Sequence, residues 1–149
     1  LKATFGAPLA LASAAMDAIR CMELIDEEFE AALPSLQDFV RIPNISIAYD
    51  PDWATNGLLD RAAAHAAGWI QEQGLEGCTV ETFKDPGFSP FVVAEIGGTQ
   101  GSAKASTTFV MYGHLDKQPH GPGWDPDISP TSGLIRDGRL YGRGSGDDG

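Results

Sequence analysis

The hydrophobic period of this chain changes from about 3.6 residues to 2 near residue 75, and this change restricts the folds open to it. Before the change, apolar residues recur at helical spacing from Phe29 to Val40. This pattern predicts a helix that begins after an N-cap at Asp26. We expect it to kink or restart at Pro34, because proline removes a helical hydrogen bond.

A second helix is predicted over residues 56–73, where apolar residues share one face and Gly74 supplies the expected C-terminal glycine. Beyond it, apolar residues alternate with polar ones. The alternation predicts three strands, at residues 78–84, 91–97 and 107–113.

A hairpin is predicted in LIRDGRLYG, where Asp137-Gly138 lies between two short apolar segments. Helices therefore precede strands along the chain. This order indicates the α/β class, with helices packed on a mixed β-sheet. The length of 149 residues is that of one ordinary domain.

The charge balance restricts the partners of the chain. Ten basic residues stand against twenty-one acidic ones, a net charge of -11. Nucleic acids and anionic membranes both require a basic surface, so neither is expected as a partner. Cys21 and Cys78 lack a CxxC spacing and are expected to be reduced, partly buried thiols. No apolar run approaches the roughly 18 residues of a membrane span.

The first residues allow two interpretations. Residues 5–15 have the apolar body and small-residue end of a secretory signal, but the chain begins with Leu1, and only Lys2 supplies a basic start. We therefore assign residues 1–23 to an N-terminal extension, either ragged or the remnant of a targeting segment. The expected location is cytoplasmic, or secreted if residues 5–15 are such a remnant.

His114 and Asp116 lie two residues apart at the end of the third predicted strand. Residues two apart in a strand point to the same face. A carboxylate beside an imidazole can hold the proton on one ring nitrogen and leave the other to bind a metal. The alternative is a surface histidine whose hydrogen bonds are simply satisfied.

A second acidic stretch, YGRGSGDD, follows the predicted hairpin and ends at Asp147 and Asp148. The glycines between them permit tight turns that bring a carboxylate close to another segment. Taken alone, the two acids indicate only a turn. Together with His114 they supply the mixed nitrogen and oxygen ligands that zinc accepts.

These stretches resemble a known family. YGHLDKQP, then GWDPDISP, then DGRLYGRGSGDDG are similar to the N-terminal signature of the co-catalytic zinc exopeptidases and amidohydrolases. That family includes carnosine-type dipeptidases, aminoacylases, glutamate carboxypeptidases and succinyl-diaminopimelate desuccinylases. The upstream LQDFVRIPNIS and WIQEQGLEG fit its opening helices. The DKQP spelling in the first motif points to the dipeptidase-like branch. The resemblance covers residues 24–149, which it identifies as the N-terminal part of the catalytic domain.

The resemblance assigns a role to each site residue. His114 corresponds to a ligand of one metal, and Asp147 to the carboxylate that bridges two metals. Asp116, the catalytic carboxylate of this assignment, matches the acid that orients the histidine. Asp148 follows the bridging acid through a peptide that is commonly cis in the family. His65 and His120 match no ligand position and are interpreted as structural or solvated.

The resemblance also implies an activity. It predicts a hydrolase that uses two divalent ions, zinc first and manganese or cobalt as alternatives, to cleave a peptide or N-acyl amide bond of a small substrate. In the family the general base, a glutamate, and the remaining ligands follow the bridging aspartate. We therefore expect this chain to be an incomplete catalytic domain, inactive alone, and the full-length protein to form a homodimer.

Two other hypotheses remain. The chain could be a non-catalytic or degenerate binding module, in which His114 and Asp147 are merely structural. A calcium site in WDPDISP is weaker, because Asp125 and Asp127 fall short of the six to eight oxygens that calcium takes.

Overall fold

The computed structural model describes the backbone of residues 7–98 and 107–147, and side chains from Asp17 onward. Its elements are three helices and four strands: α1 Ala7–Val40, α2 Trp53–Asn56, α3 Leu58–Glu72, β1 Cys78–Phe83, β2 Phe91–Ile96, β3 Leu134–Arg136 and β4 Arg139–Tyr141. The chain divides into two compact units, Leu1–Pro34 and Ser35–Gly149. The mixture of helices and short antiparallel strands confirms the predicted α/β class, but the described strands form two separate antiparallel pairs and not one mixed sheet.

The first helix is longer than predicted. It begins at Ala7 and continues through Pro34, so Asp26 is an interior residue and not an N-cap, and no new helix starts at the proline. The physical reason is the run of alanine, leucine and methionine before Asp26, all strong helix formers. In the N-terminal unit, apolar side chains such as Ile25 and Phe29 are exposed. Helix propensity, not packing of those side chains, accounts for this part of α1.

The core of the second unit forms where the end of α1 meets α3. Phe39, Ile42 and Ala62 make the buried cluster, with Leu36 and Leu115 packed against it. On α3, the buried positions lie on one face: Leu59, Ala62, Ala63 and Ala67. The predicted second helix is therefore confirmed, within two residues at its start and one at its end. Through Leu115 the core also contacts the segment that carries His114 and Asp116.

Both antiparallel pairs lie where the sequence predicts strands. β1 pairs with β2 from Cys78 opposite Ile96 to Phe83 opposite Phe91. β3 and β4 are joined by Asp137 and Gly138, with φ of 52° and 70°. Positive φ at both positions is the requirement of a type I′ turn, which explains the Asp-Gly pair.

The third predicted strand is not observed. Residues 107–113 form no strand, and Phe109, Val110, Met111 and Tyr112 are 83% to 94% exposed. An alternating pattern favours extended backbone, but a strand also needs a neighbour that pairs with its N–H and C=O groups. Within the described residues, the first pairing after this segment is the parallel bridge between Ile45 and Lys117.

Two smaller expectations concern the cysteines and the membrane. Both cysteines are free thiols, and Cys78 is half-buried as predicted, but Cys21 is exposed because it lies in the part of α1 whose side chains are not packed. In the parts of the chain that the structure describes, no helix is both long enough and apolar enough to cross a membrane.

Candidate metal site

The side chains of His114, Asp116 and Asp147 meet at one place. His114 Nδ1 lies 2.8 Å from the backbone oxygen of Asp116 and 3.2 Å from its Oδ1. Because a carbonyl oxygen can only accept, Nδ1 carries the ring proton. The other nitrogen, Nε2, lies 3.7 Å from Asp147 Oδ1. The histidine is thus oriented by Asp116 on one side and faces a carboxylate on the other.

The separation of His114 Nε2 and Asp147 Oδ1 suits two ligands of one ion. At 3.7 Å the atoms are too far apart for a good hydrogen bond. Two ligand atoms bonded to one tetrahedral zinc at about 2.0 to 2.1 Å stand about 3.4 Å apart. A lone pair and a carboxylate oxygen this close repel each other unless a cation or a proton lies between them.

The site is partly open to solvent. The side chains of His114 and Asp116 are each 35% exposed, and that of Asp147 is 61% exposed. Solvent therefore reaches all three side chains. In the described structure neither His114 nor Asp147 lies on a regular strand.

Asn44 and the Lys117 backbone hold the segment that carries His114. Asn44 is fully buried, and its Nδ2 donates to the backbone oxygen of Leu115. The backbone N–H of Lys117 donates to Asn44 O at 2.9 Å, and Ser46 N–H donates to Lys117 O at 2.9 Å. The residues on both sides of Asp116, Leu115 and Lys117, are therefore held by hydrogen bonds to their backbone groups.

Glycines let the loop before Asp147 approach the core. Gly144 has φ of 87°, and a Cβ there would lie 2.6 Å from Lys117 Cε. Gly142 has φ of 153°, and a Cβ there would lie 2.1 Å from Val40 Cγ1. Any larger residue would clash at either position. The glycine-rich motif is thus explained by close packing as well as by turning.

The sequence did not single out Lys117, which is only 3% exposed. Burial lowers its pKa from the ordinary 10.5 to about 8. A lysine is rarely buried to this extent without partners. The sequence shows the lysine in DKQP, but it does not show which backbone carbonyls accept hydrogen bonds from the lysine ammonium.

The two remaining histidines have structural surroundings. His65 Nε2 lies 3.0 Å from both the hydroxyl and the backbone oxygen of Ser35, and its ring centre lies 6.2 Å from that of Phe39, with the two rings tilted by 34°. The backbone oxygen of His120 accepts from Trp124 Nε1 and Arg143 Nη2. The contacts of His65 involve its ring, whereas those of His120 involve only its backbone.

The His120 imidazole lies in a positive environment. Its pKa is lowered first by burial and then by the positive charges of Arg143 and Lys117. In WDPDISP, Asp127 forms an ion pair with Arg136 at 2.7 Å. The hydrogen bond from Arg136 lowers the pKa of that carboxyl. This pairing weakens the calcium hypothesis further.

The metal set is incomplete within the described residues. In that part of the chain, no group of three or more histidine, cysteine, aspartate or glutamate side chains is arranged to hold a metal ion. Asp148, and with it the expected cis peptide after Asp147, lies outside the described residues. His114 and Asp147 fit as two ligands of a larger set.

An apolar cleft of about 430 Å³ adjoins His114 and Asp116. Its walls come mainly from α3, β2 and the segment before His114, and include Leu59, Ala63, Ile70, Phe91, Val92 and Tyr112. The oriented histidine therefore borders a cavity large enough for a small organic group.

Comparison with known proteins gives two relevant similarities, although no family model matches the chain. Both relatives are desuccinylases. The chain is 33% identical over 123 residues to a succinyl-diaminopimelate desuccinylase of Methylobacterium radiotolerans, covering 79% of this chain and 26% of the relative. It is 37% identical over 93 residues to the same-named protein of Dechloromonas aromatica, covering 60% of this chain and 25% of the relative.

The chain thus spans about a quarter of the length of these relatives. Succinyl-diaminopimelate desuccinylases are among the proteins that the three motifs resemble. The similarity to two desuccinylases therefore agrees with the resemblance of the three motifs.

Proposed function

We propose that this chain contributes the first metal ligands of a hydrolase that cleaves an amide bond in a small N-acyl amino acid or peptide. The proposal rests on the two contacts of the His114 ring. Nδ1 carries the proton and faces Asp116, and Nε2 lies 3.7 Å from Asp147 Oδ1. The similarity to two desuccinylases supports the same reaction class.

Each residue of the site has a defined task in this proposal. His114 would bind one ion through Nε2, and Asp147 would bridge two ions with its two oxygens. Asp116 holds the imidazole as the tautomer that binds metal and strengthens it as a ligand. An imidazole with carboxylates suits zinc, with manganese or cobalt as alternatives. When bound, the ions would supply Lewis acidity and an activated water near neutral pH.

N-acyl amino acids are the preferred substrate class. Both relatives are named for removal of a succinyl group, whereas the DKQP spelling alone points weakly to dipeptidases. The cleft beside His114 offers apolar walls to the carbon chain of a substrate whose amide lies at the metals. The remaining ligands and the general base would come from residues other than those described.

The second candidate is a binding module without a functional metal centre. It is favoured by the absence, in residues 7–98 and 107–147, of any side-chain group able to hold a metal by itself. In that case the contact of His114 with Asp116 would only stabilise the turn that contains them.

Expression of the full-length gene tests the two candidates. We expect the purified protein to contain zinc and to hydrolyse N-succinyl or N-acetyl amino acids, with activity lost on chelation and restored by zinc. The 149-residue chain should hydrolyse none of them at a measurable rate. Metal-free full-length protein without hydrolase activity would favour the binding module.

A further inference from the structure

We infer that Lys117 is a positioning residue that sets the separation between His114 and Asp147. This inference rests on the proposed function, because it concerns the geometry of the same metal site. Lys117 connects three parts of the second unit: the end of α1, the segment that carries His114, and the glycine loop that carries Asp147.

The first connection is made by the Lys117 ammonium. Nζ donates to Phe39 O at 2.7 Å and to Ile42 O at 2.8 Å, with a longer contact to Val40 O at 3.3 Å. Helix α1 ends at Val40, and the last carbonyls of a helix lack helical partners. The three N–H donors of an ammonium thus meet three carbonyl oxygens, and the charge lies 4.3 Å from the Phe39 ring centre.

The second connection runs through the Lys117 backbone. Its hydrogen bonds with Asn44 and Ser46 form a parallel bridge. This bridge anchors the His114 segment at a point three residues after the histidine. The side-chain amide of Asn44 adds a hydrogen bond to Leu115 O. The position of the His114 ring therefore follows from where Lys117 is fixed.

The third connection is a packing contact with the loop before Asp147. A Cβ on Gly144 would lie 2.6, 3.0 and 3.1 Å from Lys117 Cε, Cδ and Cγ. The loop backbone therefore lies directly on the methylene chain of the lysine. The thickness and course of that chain determine how closely Asp147 approaches His114.

A lysine that only caps α1 would affect stability alone, whereas a positioning lysine also affects metal geometry in the folded protein. Lys117→Met keeps an unbranched apolar chain but removes the ammonium that donates to Ile42 O and Phe39 O, of which Phe39 O still accepts from Ile42 N–H. Gly144→Ala keeps the lysine and inserts a methyl group between its chain and the loop. The control is Ile128→Ala, which removes a buried side chain that takes no part in these contacts.

The experiment uses the full-length protein at a temperature where circular dichroism shows every variant to be folded. Zinc affinity is measured by chelator competition, and site geometry by the visible absorption of bound Co²⁺. We expect Lys117→Met and Gly144→Ala to bind zinc about 10- to 100-fold more weakly, as for other losses of support around a ligand. Both should alter the Co²⁺ spectrum, and Ile128→Ala should match the wild type.

Wild-type zinc affinity and Co²⁺ spectrum in folded Lys117→Met and Gly144→Ala would overturn the inference and leave the proposed function intact. A wild-type protein that binds neither zinc nor Co²⁺ would instead reject the proposed function, and the inference with it.

Discussion

Residues 107–112 and residues 114–117 are separated only by Gly113, yet the first segment is exposed to solvent and the second is partly or fully buried. Tyr112 is 83% exposed, whereas Lys117, five positions later, is 3% exposed. Hydropathy alone predicts the reverse, because the first segment is apolar and should be buried, whereas the second ends in a lysine and should be exposed. What separates the two segments is the set of backbone partners that each one has.

The anchored segment has partners at the end of α1 and at residues 44–46, and the exposed one forms no strand with the described residues. Apolar side chains favour burial only where other apolar surface is available to cover them. A buried lysine is tolerated where carbonyl oxygens replace its water. Burial thus depends on neighbours distant in sequence, which a local pattern does not contain.

The largest expected effect comes from the core beneath the anchored segment. Ile42→Ala should lower the free energy of unfolding of the 149-residue chain by about 2 to 5 kcal/mol, because Ile42 is 2% exposed and the change leaves a cavity. Urea titration followed by circular dichroism measures this. A loss below about 1 kcal/mol would show that the segment is held by hydrogen bonds alone.

The next effect concerns pH and the buried lysine. With a folded pKa of about 8, Lys117 has lost its proton over a range where the unfolded lysine, at 10.5, still holds one. Raising the pH from 8 to about 10.5 should therefore stabilise the wild type relative to Lys117→Met, by at most about 3 kcal/mol. Urea titrations of both proteins across this range measure the difference, and parallel curves would show that the lysine keeps its proton.

A smaller effect is expected at Asp116 in the full-length protein. Asp116→Asn keeps the size of the side chain but removes the charge that holds the proton on His114 Nδ1. Zinc should still bind, about 10- to 100-fold more weakly. Chelator competition measures the affinity, and Asp125→Asn is the matched control, which should leave it unchanged. An equal loss in the control would indicate a general effect of charge.

The smallest effect is expected in the exposed segment. Phe109 is 90% exposed, so Phe109→Ala should change the free energy of unfolding of the 149-residue chain by less than about 0.5 kcal/mol. The same substitution should reduce self-association, measured by analytical ultracentrifugation, because it removes exposed apolar surface. A loss of stability comparable to that of Ile42→Ala would remove the contrast between the two segments.

The parts of the fold that the sequence predicts are those fixed by local chemistry. The Asp137-Gly138 turn needs positive φ, and α3 shows its buried face in its spacing. The predicted start of α1 was wrong, because helix-forming residues before Asp26 extend the helix without an amphipathic stripe. At the site, the contact of His114 with Asp116 was expected from their spacing in a strand, and it is present although no strand carries the two residues.

The rest of the site depends on contacts across long stretches of chain. Lys117 Nζ reaches Ile42 O from 75 residues away, and no local pattern links the two. The proximity of Asp147 to His114 was expected from the two motifs taken together and from the resemblance. The close packing that fixes it, through Gly144, appears only in three dimensions.

Metal content of the full-length protein, measured by mass spectrometry for the wild type, Asp147→Ala and His120→Ala, tests the central claim most directly. We predict two zinc ions per chain in the wild type and in His120→Ala. Asp147→Ala should retain almost none, because a bridging carboxylate binds both ions and screens their mutual repulsion. Near-normal zinc and activity in Asp147→Ala would contradict the account.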